Sequence, residues 1–226
     1  MKQRQEKILK YLIREYIKTA EPVSSKFLAE KYKLGISQAT LRWDMVELTG
    51  EGYLTQPHTS AGRVPTEKAY HYYIENFSET KLAPKAEKNI EEVFSVSEKR
   101  ELARELGKEI ASISKNISIL LLEREIFWQG LSRLLSQPEF YEAEDILETI
   151  ESFEDFYKNI EENEFLKEDI KIYIGRENPF IEDKNLSLIL GGLDGGMIGI
   201  LGPIRMDYQT NIALIKKVKG LLEERA

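Results

Sequence analysis

The chain has 226 residues, of which 42% are hydrophobic and 10% aromatic, so it can form one large domain or two small ones. It contains no cysteine and two histidines, which excludes disulfides, cysteine nucleophiles, thiolate metal sites and multi-histidine metal sites. The longest aliphatic run, residues 117–122, is too short to cross a bilayer, and the charged start of the chain lacks a signal-peptide core. We therefore expect a cytoplasmic protein that does not bind a membrane.

Charge is distributed unevenly along the chain. The net charge is −7, but residues 1–80 contain 12 Lys+Arg and 10 Asp+Glu, whereas residues 81–226 contain 20 and 29. The acidity therefore belongs to the C-terminal part, and a nucleic-acid ligand is not excluded for the N-terminal part. We predict two domains, 1–80 and 81–226.

The first 35 residues predict two helices. Apolar residues recur at three- and four-residue spacing from residue 2 to residue 19, and Pro22 ends this helix. In the second helix Phe27 and Leu28 are predicted to face inward, and Gly35 is predicted to end it.

A third helix is predicted to begin after Ser37, which can cap it. Its first turns carry side chains of the kind that contact base edges in a recognition helix. Arg42 can bind guanine or a phosphate, and Gln38 suits adenine. An ordinary solvated helix face is the alternative. The candidate DNA contacts on this helix are Ser37, Gln38, Thr40, Arg42 and Trp43.

A hairpin is predicted next, with a small polar loop at residues 56–63. Hydroxyl groups and backbone amides in such a loop can bind phosphate oxygens, and an arginine can approach a narrow minor groove. An ordinary surface hairpin is the alternative. The candidate DNA contacts in the loop are His58, Thr59, Ser60 and Arg63. A helix capped by Thr66 follows, and the order of these elements predicts a winged helix-turn-helix.

The remaining residues predict helices around an antiparallel sheet. Helices are expected at 86–115, at about 126–137, at about 141–162 and after Asp207. Strands are expected at 117–123, 170–175, 186–190 and 197–201. Asp194-Gly195 lies between the last two strands and favours a hairpin. This arrangement is compatible with a reduced GAF-like domain, so the fold class predicted for the whole chain is α+β.

Three features of this part allow more than one interpretation. The stripe Leu102, Leu106, Ile110, Ile113 and Ile117 can pack within its own domain or form a seam between two chains. The acidic face of 141–162 is predicted to be solvated, because no metal-ligand spacing recurs. The glycine-rich segment 191–202 lacks the lysine-bearing helix of a P-loop, so we predict no nucleotide and no cofactor.

Several segments closely resemble the heat-inducible transcription repressors of the HrcA family. They occur in order from the start to the end of the chain: RQEKILKYLIREYI, EPVSSKFLAEKY, LGISQATLRWDM, GYLTQPHTSAGRVPTEKAY, GLSRLLSQPEF and GGMIGILGPIRMDYQTNI. The resemblance implies a repressor of chaperone operons that binds an inverted-repeat operator in double-stranded DNA as a homodimer. It also implies the chaperonin GroEL as a partner that keeps the repressor active.

The chain departs from the family in two places. The family usually has asparagine where this chain has Trp43, and tryptophan cannot make the paired hydrogen bonds of an amide with adenine. The family's long central segment carries a dimerisation element and should lie between Leu120 and Phe127. In this chain only a few residues separate these two positions, so the segment is missing.

Two other classes of function remain open. One is a ligand-responsive winged-helix regulator of another regulon, with the C-terminal domain as sensor. The other is a bifunctional enzyme with a DNA-binding domain, for which the sequence offers no nucleophile, catalytic base or phosphate loop. We predict a non-enzymatic repressor of heat-shock operons.

Overall fold

The structure, a computed structural model, describes residues 1–77, 81–159 and 170–225. The chain divides into two compact units, Met1–Ser78 and Glu79–Ala226. The predicted domain boundary at residue 80 and the predicted helix end at residue 162 lie outside the described residues. In the described part of the chain, no helix is both long and apolar enough to cross a membrane.

Within residues 1–77, the first unit consists of four helices and a two-stranded hairpin. Its elements are α1 (Gln3–Thr19), α2 (Ser25–Lys31), α3 (Gln38–Gly50), β1 (Leu54–Thr55), β2 (Val64–Pro65) and α4 (Glu67–Asn76). The apolar stripe of α1 is buried as its spacing predicts, because it packs against α3 and α4. The fully or almost fully buried side chains include Ile8, Leu9, Leu12, Ile13, Leu41, Met45, Leu48, Tyr70 and Tyr73.

Side-chain caps set the helix starts in this unit. Ser24, Ser37 and Thr66 each accept a hydrogen bond from the backbone amide three residues later, which starts α2, α3 and α4. The prediction for α2 was wrong in two respects. Phe27 is 40% exposed rather than inward-facing, and the helix ends at Lys31, four residues before Gly35. Gly35 instead has φ = +69° in the turn that leads to α3.

The described residues of the second unit, 81–159 and 170–225, form a five-stranded antiparallel sheet with helices on both faces. Its strands follow the spatial order β4-β3-β7-β6-β5. Its elements are α5 (Pro84–Val93), α6 (Lys99–Ser114), β3 (Ile117–Leu122), β4 (Glu125–Gln129), α7 (Leu131–Leu135), α8 (Ala143–Asn159), β5 (Ile170–Ile174), β6 (Leu186–Leu193), β7 (Gly196–Pro203) and α9 (Tyr208–Arg225), with short 3₁₀ turns at Pro138–Phe140 and Gly175–Glu177.

The central strands β3, β6 and β7 are buried on both faces of the sheet. One face joins β3, β6 and β7 to α7 and α8 in an apolar core that includes Ile117, Ile119, Leu188, Leu201, Phe153 and Phe156. The other face packs against α6 and α9, where the Ser118 hydroxyl donates to the Gly107 carbonyl at 2.7 Å and the Tyr208 hydroxyl donates to Ser187 Oγ at 2.9 Å. The predicted α+β class is confirmed.

Two predictions about this unit were wrong. Residues 126–129 form strand β4 and not the start of a helix, because Glu123 and Arg124 both have positive φ and turn the chain back onto β3. Only Leu131–Leu135 is helical. Residues 86–115 form two helices, α5 and α6, interrupted at 94–98.

The apolar stripe of α6 is buried inside its own unit. Leu102, Leu106 and Ile110 are at most 4% exposed, and α6 packs on β3 and β4. Packing within the domain is therefore confirmed, and the alternative of a seam between two chains is wrong for these residues. Ile117 belongs to β3.

Close packing accounts for the glycine-rich segment. A Cβ atom on Gly196 would lie 2.1 Å from the Leu121 carbonyl oxygen, and one on Gly202 would lie 2.3 Å from Asn116 Oδ1. Both glycines belong to β7, where a neighbouring strand or a buried side chain approaches the backbone. The segment is a sheet hairpin, as the Asp194-Gly195 signal predicts.

Candidate nucleic-acid interface

Helix α3 is fixed against α1 by its acidic residues. Arg4 binds both carboxylate oxygens of Asp44, with its Nε 2.6 Å and its Nη2 2.9 Å away, and Asp44 is 2% exposed. The hydrogen bond to Asp44, together with its charge, raises the pKa of Arg4. Glu47 accepts hydrogen bonds from Gln5 Nε2 at 2.8 Å and from Lys2 Nζ at 3.1 Å. Both carboxylates of α3 are thus neutralised on the side of the helix that faces α1.

The opposite side of α3 is open to solvent. Gln38, Arg42 and Trp43 are exposed, and Trp43 is 71% exposed. Within the described part of the chain, the Arg42 guanidinium makes no hydrogen bond and no ion pair. Three of the five predicted helix contacts therefore share one accessible surface.

The other two predicted contacts, Ser37 and Thr40, are hydrogen-bonded to each other at the start of α3. Ser37 Oγ accepts from the Thr40 amide at 3.1 Å and lies 2.9 Å from Thr40 Oγ1. Ser37 is exposed and Thr40 is half-buried. These two hydroxyls hold the first turn of α3, and that turn presents Gln38 and Arg42.

The loop between β1 and β2 is held by its own hydrogen bonds. Gln56 Nε2 donates to the carbonyls of Thr59 and Ala61, each at 2.9 Å, and the Ala61 amide donates to the His58 carbonyl at 2.9 Å. His58, Thr59 and Ser60 are all exposed at the far end of this loop.

The base of the hairpin is fixed to the segment between α1 and α2. Val23 and Arg63 form an antiparallel bridge with N–O distances of 2.9 and 2.8 Å. Gly62 lies so close to this segment that an added Cβ would be 2.4 Å from the carbonyl carbon of Val23. Arg63 is half-buried, and its Nε donates to Thr49 Oγ1 at the end of α3, 3.0 Å away. The predicted contact Arg63 therefore joins the hairpin to α3 and lies apart from the exposed loop tip.

A buried carboxylate connects α1 to α2. Glu15 is 1% exposed and accepts hydrogen bonds from Lys31 Nζ and the Tyr32 hydroxyl, both at 2.5 Å. Burial alone would raise the pKa of Glu15, but the hydrogen bonds from Lys31 and Tyr32 outweigh it and the pKa is lowered. Burial, followed by the hydrogen bond to Glu15, raises the pKa of Tyr32 to about 12.

Sequence reasoning missed Val46, Thr49 and Gly62. Val46 is 42% exposed on the same side of α3 as Arg42 and Trp43, and its spacing of three and four residues from them was an available signal. Thr49 is also on α3, but its bond to Arg63 joins residues 14 apart, which no local pattern indicates. The role of Gly62 depends on the approach of Val23, which is equally non-local.

The second unit contains a cavity of about 340 Å³ between the β3–β4 turn, the β6–β7 turn, the start of α6 and the end of α9. Its apolar lining includes Leu122, Phe127 and Leu222. The charged groups at its rim are already paired, Lys99 with Glu123 and Arg100 with Glu125. Among the residues that the structure describes, no group of three His, Asp or Glu side chains could hold a metal ion.

The fold has a close counterpart among solved structures. A crystal structure of a hypothetical protein superposes with a TM-score of 0.79 at 20% identity, covering 99% of this chain and 98% of that one. This likeness shows the α+β fold of the chain.

Comparison with protein families gives a more specific result. Residues 65–212 match the family described as HrcA protein C terminal domain. The chain belongs to the HrcA family, as its sequence segments predict.

Curated relatives match along nearly the whole chain. The heat-inducible transcription repressor HrcA of Natranaerobius thermophilus is 26% identical over 97% of this chain and 95% of its own length. The repressor of the same name from Acetivibrio thermocellus is 27% identical over 98% and 95%. The first alignment is 327 residues long, whereas this chain has 226, so the relative contains residues that this chain lacks.

Proposed function

We propose that residues 1–77 form a winged helix-turn-helix that binds double-stranded DNA, with α3 in the major groove and the β1–β2 loop on the adjacent backbone. The observation that carries this proposal is the open side of α3. It presents Arg42 and Trp43 to solvent while both acidic residues of the helix are held on the other side by α1. A surface of this kind suits a phosphate-rich ligand, because no uncompensated carboxylate of α3 repels it.

The protein is a transcription repressor of heat-shock genes, since it belongs to the HrcA family and its full-length relatives carry that name. We further propose that it binds an inverted repeat near chaperone operons as a homodimer. Two recognition helices related by a two-fold axis would then contact half-sites about one helical turn apart. The unit of residues 81–226 is proposed to be a reduced GAF-like domain, and the chaperonin GroEL is proposed as a partner.

Binding to operator DNA tests the DNA-binding proposal directly. Mobility-shift titrations compare inverted repeats from upstream of the source organism's chaperone operons with scrambled duplexes of the same composition. The Arg42→Ala variant should lose roughly 1–3 kcal/mol of operator binding if Arg42 contacts a base, and should lose less on the scrambled duplex.

A matched control is available in the second unit. Arg133 is also exposed, so Arg133→Ala removes the same charge without touching α3 and should leave the affinity unchanged. Equal losses for the Arg42 variant on both duplexes would assign Arg42 to a phosphate. No preference of the wild-type protein for any inverted repeat would contradict the proposed function.

A further inference from the structure

The exposed side of α3 is mostly apolar. Ala39, Arg42, Trp43 and Val46 follow the three- and four-residue spacing of one helix face, and all four are exposed. Trp43 is 71% exposed and Val46 is 42% exposed. Adjacent exposed apolar side chains are common on surfaces that bind a partner.

The two acidic side chains of the same helix are held by residues of α1 and its N-cap. Asp44 is buried beneath Arg4, and Glu47 is held by Gln5 and Lys2. The face therefore offers the cation of Arg42, the amide of Gln38 one turn earlier, and the apolar groups of Ala39, Trp43 and Val46. Val46 has no polar group, and the one polar group of Trp43 is its indole N–H, which can donate but cannot accept a hydrogen bond.

The chemistry of the major groove then limits what these apolar groups can contact. The edges of the four base pairs carry donors and acceptors, and the C5-methyl group of thymine is the apolar group among them. Residues 43 and 46 lie about 4.5 Å apart along the helix axis, which is comparable to the roughly 3.4 Å rise between base pairs. Both side chains can therefore contact methyl groups on the same or neighbouring base pairs.

We propose that Trp43 and Val46 recognise thymine C5-methyl groups beside the base pair that Arg42 contacts. This inference rests on the proposed function, since it names the bases that the same surface would select. Val46 becomes a specificity-determining residue, and Trp43 acts through its apolar ring rather than through its indole N–H.

Replacing thymine with uracil tests the proposal, because it removes the methyl group and leaves every hydrogen-bonding group in place. The full-length protein is titrated by fluorescence anisotropy with the bound inverted repeat and with copies carrying one uracil at each thymine position in turn. Burial of one methyl-sized group predicts a loss of about fourfold in affinity at each contacted position. We expect such losses at one or two neighbouring positions in each half-site and no change elsewhere.

Variants then assign each position to a side chain. Trp43→Ala and Val46→Ala should each bind thymine and uracil equally at one sensitive position. Val46→Thr keeps one methyl group and should retain part of the sensitivity. Leu147→Ala is the matched control, since Leu147 is 59% exposed on α8, and this variant should behave like the wild type.

The outcomes are distinguishable. An operator that binds tightly but shows no uracil effect would overturn this inference and leave the proposed function intact. Uracil effects that persist unchanged in both alanine variants would also overturn it, because the methyl groups would then act through DNA shape or another residue. Failure to prefer any inverted repeat over scrambled DNA would reject the inference and the proposed function together.

Discussion

Adding a single methyl group at Gly62 should detach the hairpin from the rest of the first unit. A Cβ at this position would lie 2.4 Å from the Val23 carbonyl carbon, 2.5 Å from the Val23 oxygen and 2.6 Å from the Pro22 carbonyl carbon. Ordinary carbon contacts are about 3.5 Å or longer, so one segment must move by about 1 Å. All three neighbours are backbone atoms, which cannot turn aside as a flexible side chain can.

The magnitude follows from the contacts that such a movement breaks. The Val23–Arg63 bridge has N–O distances of 2.9 and 2.8 Å, and a shift of about 1 Å takes both beyond hydrogen-bonding range. Two backbone hydrogen bonds contribute about 1 kcal/mol each, and forced overpacking costs about 1–3 kcal/mol. The two effects together should destabilise the first unit of the Gly62→Ala variant by roughly 3–5 kcal/mol and weaken operator binding.

Hydrogen–deuterium exchange measures the loss of local stability in peptides that cover Val23 and Arg63. Mobility-shift titrations of the same samples measure the affinity for operator DNA. Gly50→Ala is the matched control, since Gly50 ends α3 and a Cβ there meets nothing within 4 Å. The Gly50 variant should bind operator normally. A Gly62→Ala protein with unchanged exchange and unchanged operator affinity would refute the role given to this close approach.

Two further changes test the supports of α3 and α2. Ser37→Ala removes the cap of α3 and should cost about 0.5–2 kcal/mol of stability. Hydrogen–deuterium exchange should then be faster in the first turn of α3, and unchanged exchange there would contradict the capping role. The pKa of Glu15 is lowered in the folded protein, so its ionised carboxylate stabilises the folded state. This stabilisation should be fully present above about pH 4.3, the ordinary pKa of glutamate, and should be lost as the pH falls through the lower pKa of the folded state. In urea unfolding, the free energy of unfolding of Glu15→Gln should therefore be lower than that of the wild type at pH 7, and the difference should disappear in acid. The control Glu30→Gln removes an exposed pair with Lys26 and should match the wild type at every pH. A difference between wild type and Glu15→Gln that does not change with pH would rule out this ion pair as its cause.

Local chemistry made much of the fold predictable. The hydroxyls of Ser37 and Thr66 bond the amide three residues later, so each helix start depends on a few adjacent residues. Asp194-Gly195 specifies a tight turn, and Gly195 has φ = +73° there. Helical spacing likewise placed Arg42 and Trp43 on an outward face.

Contacts between distant residues decided what the sequence left open. The apolar run at 126–128 suits a helix or a strand, and it forms part of β4 because β3 provides a pairing edge after the turn at Glu123 and Arg124. The burial of Asp44 depends on Arg4, 40 residues earlier, and the position of the hairpin depends on Val23 and Gly62 meeting. The sequence alone therefore determined the order of the helices in the first unit and the family of the protein, since both depend on neighbouring residues. Only the tertiary structure decided that Asp44 and Glu47 are bound by Arg4 and Gln5 and so leave the open side of α3 without a free carboxylate, because that depends on how α1 packs across the helix.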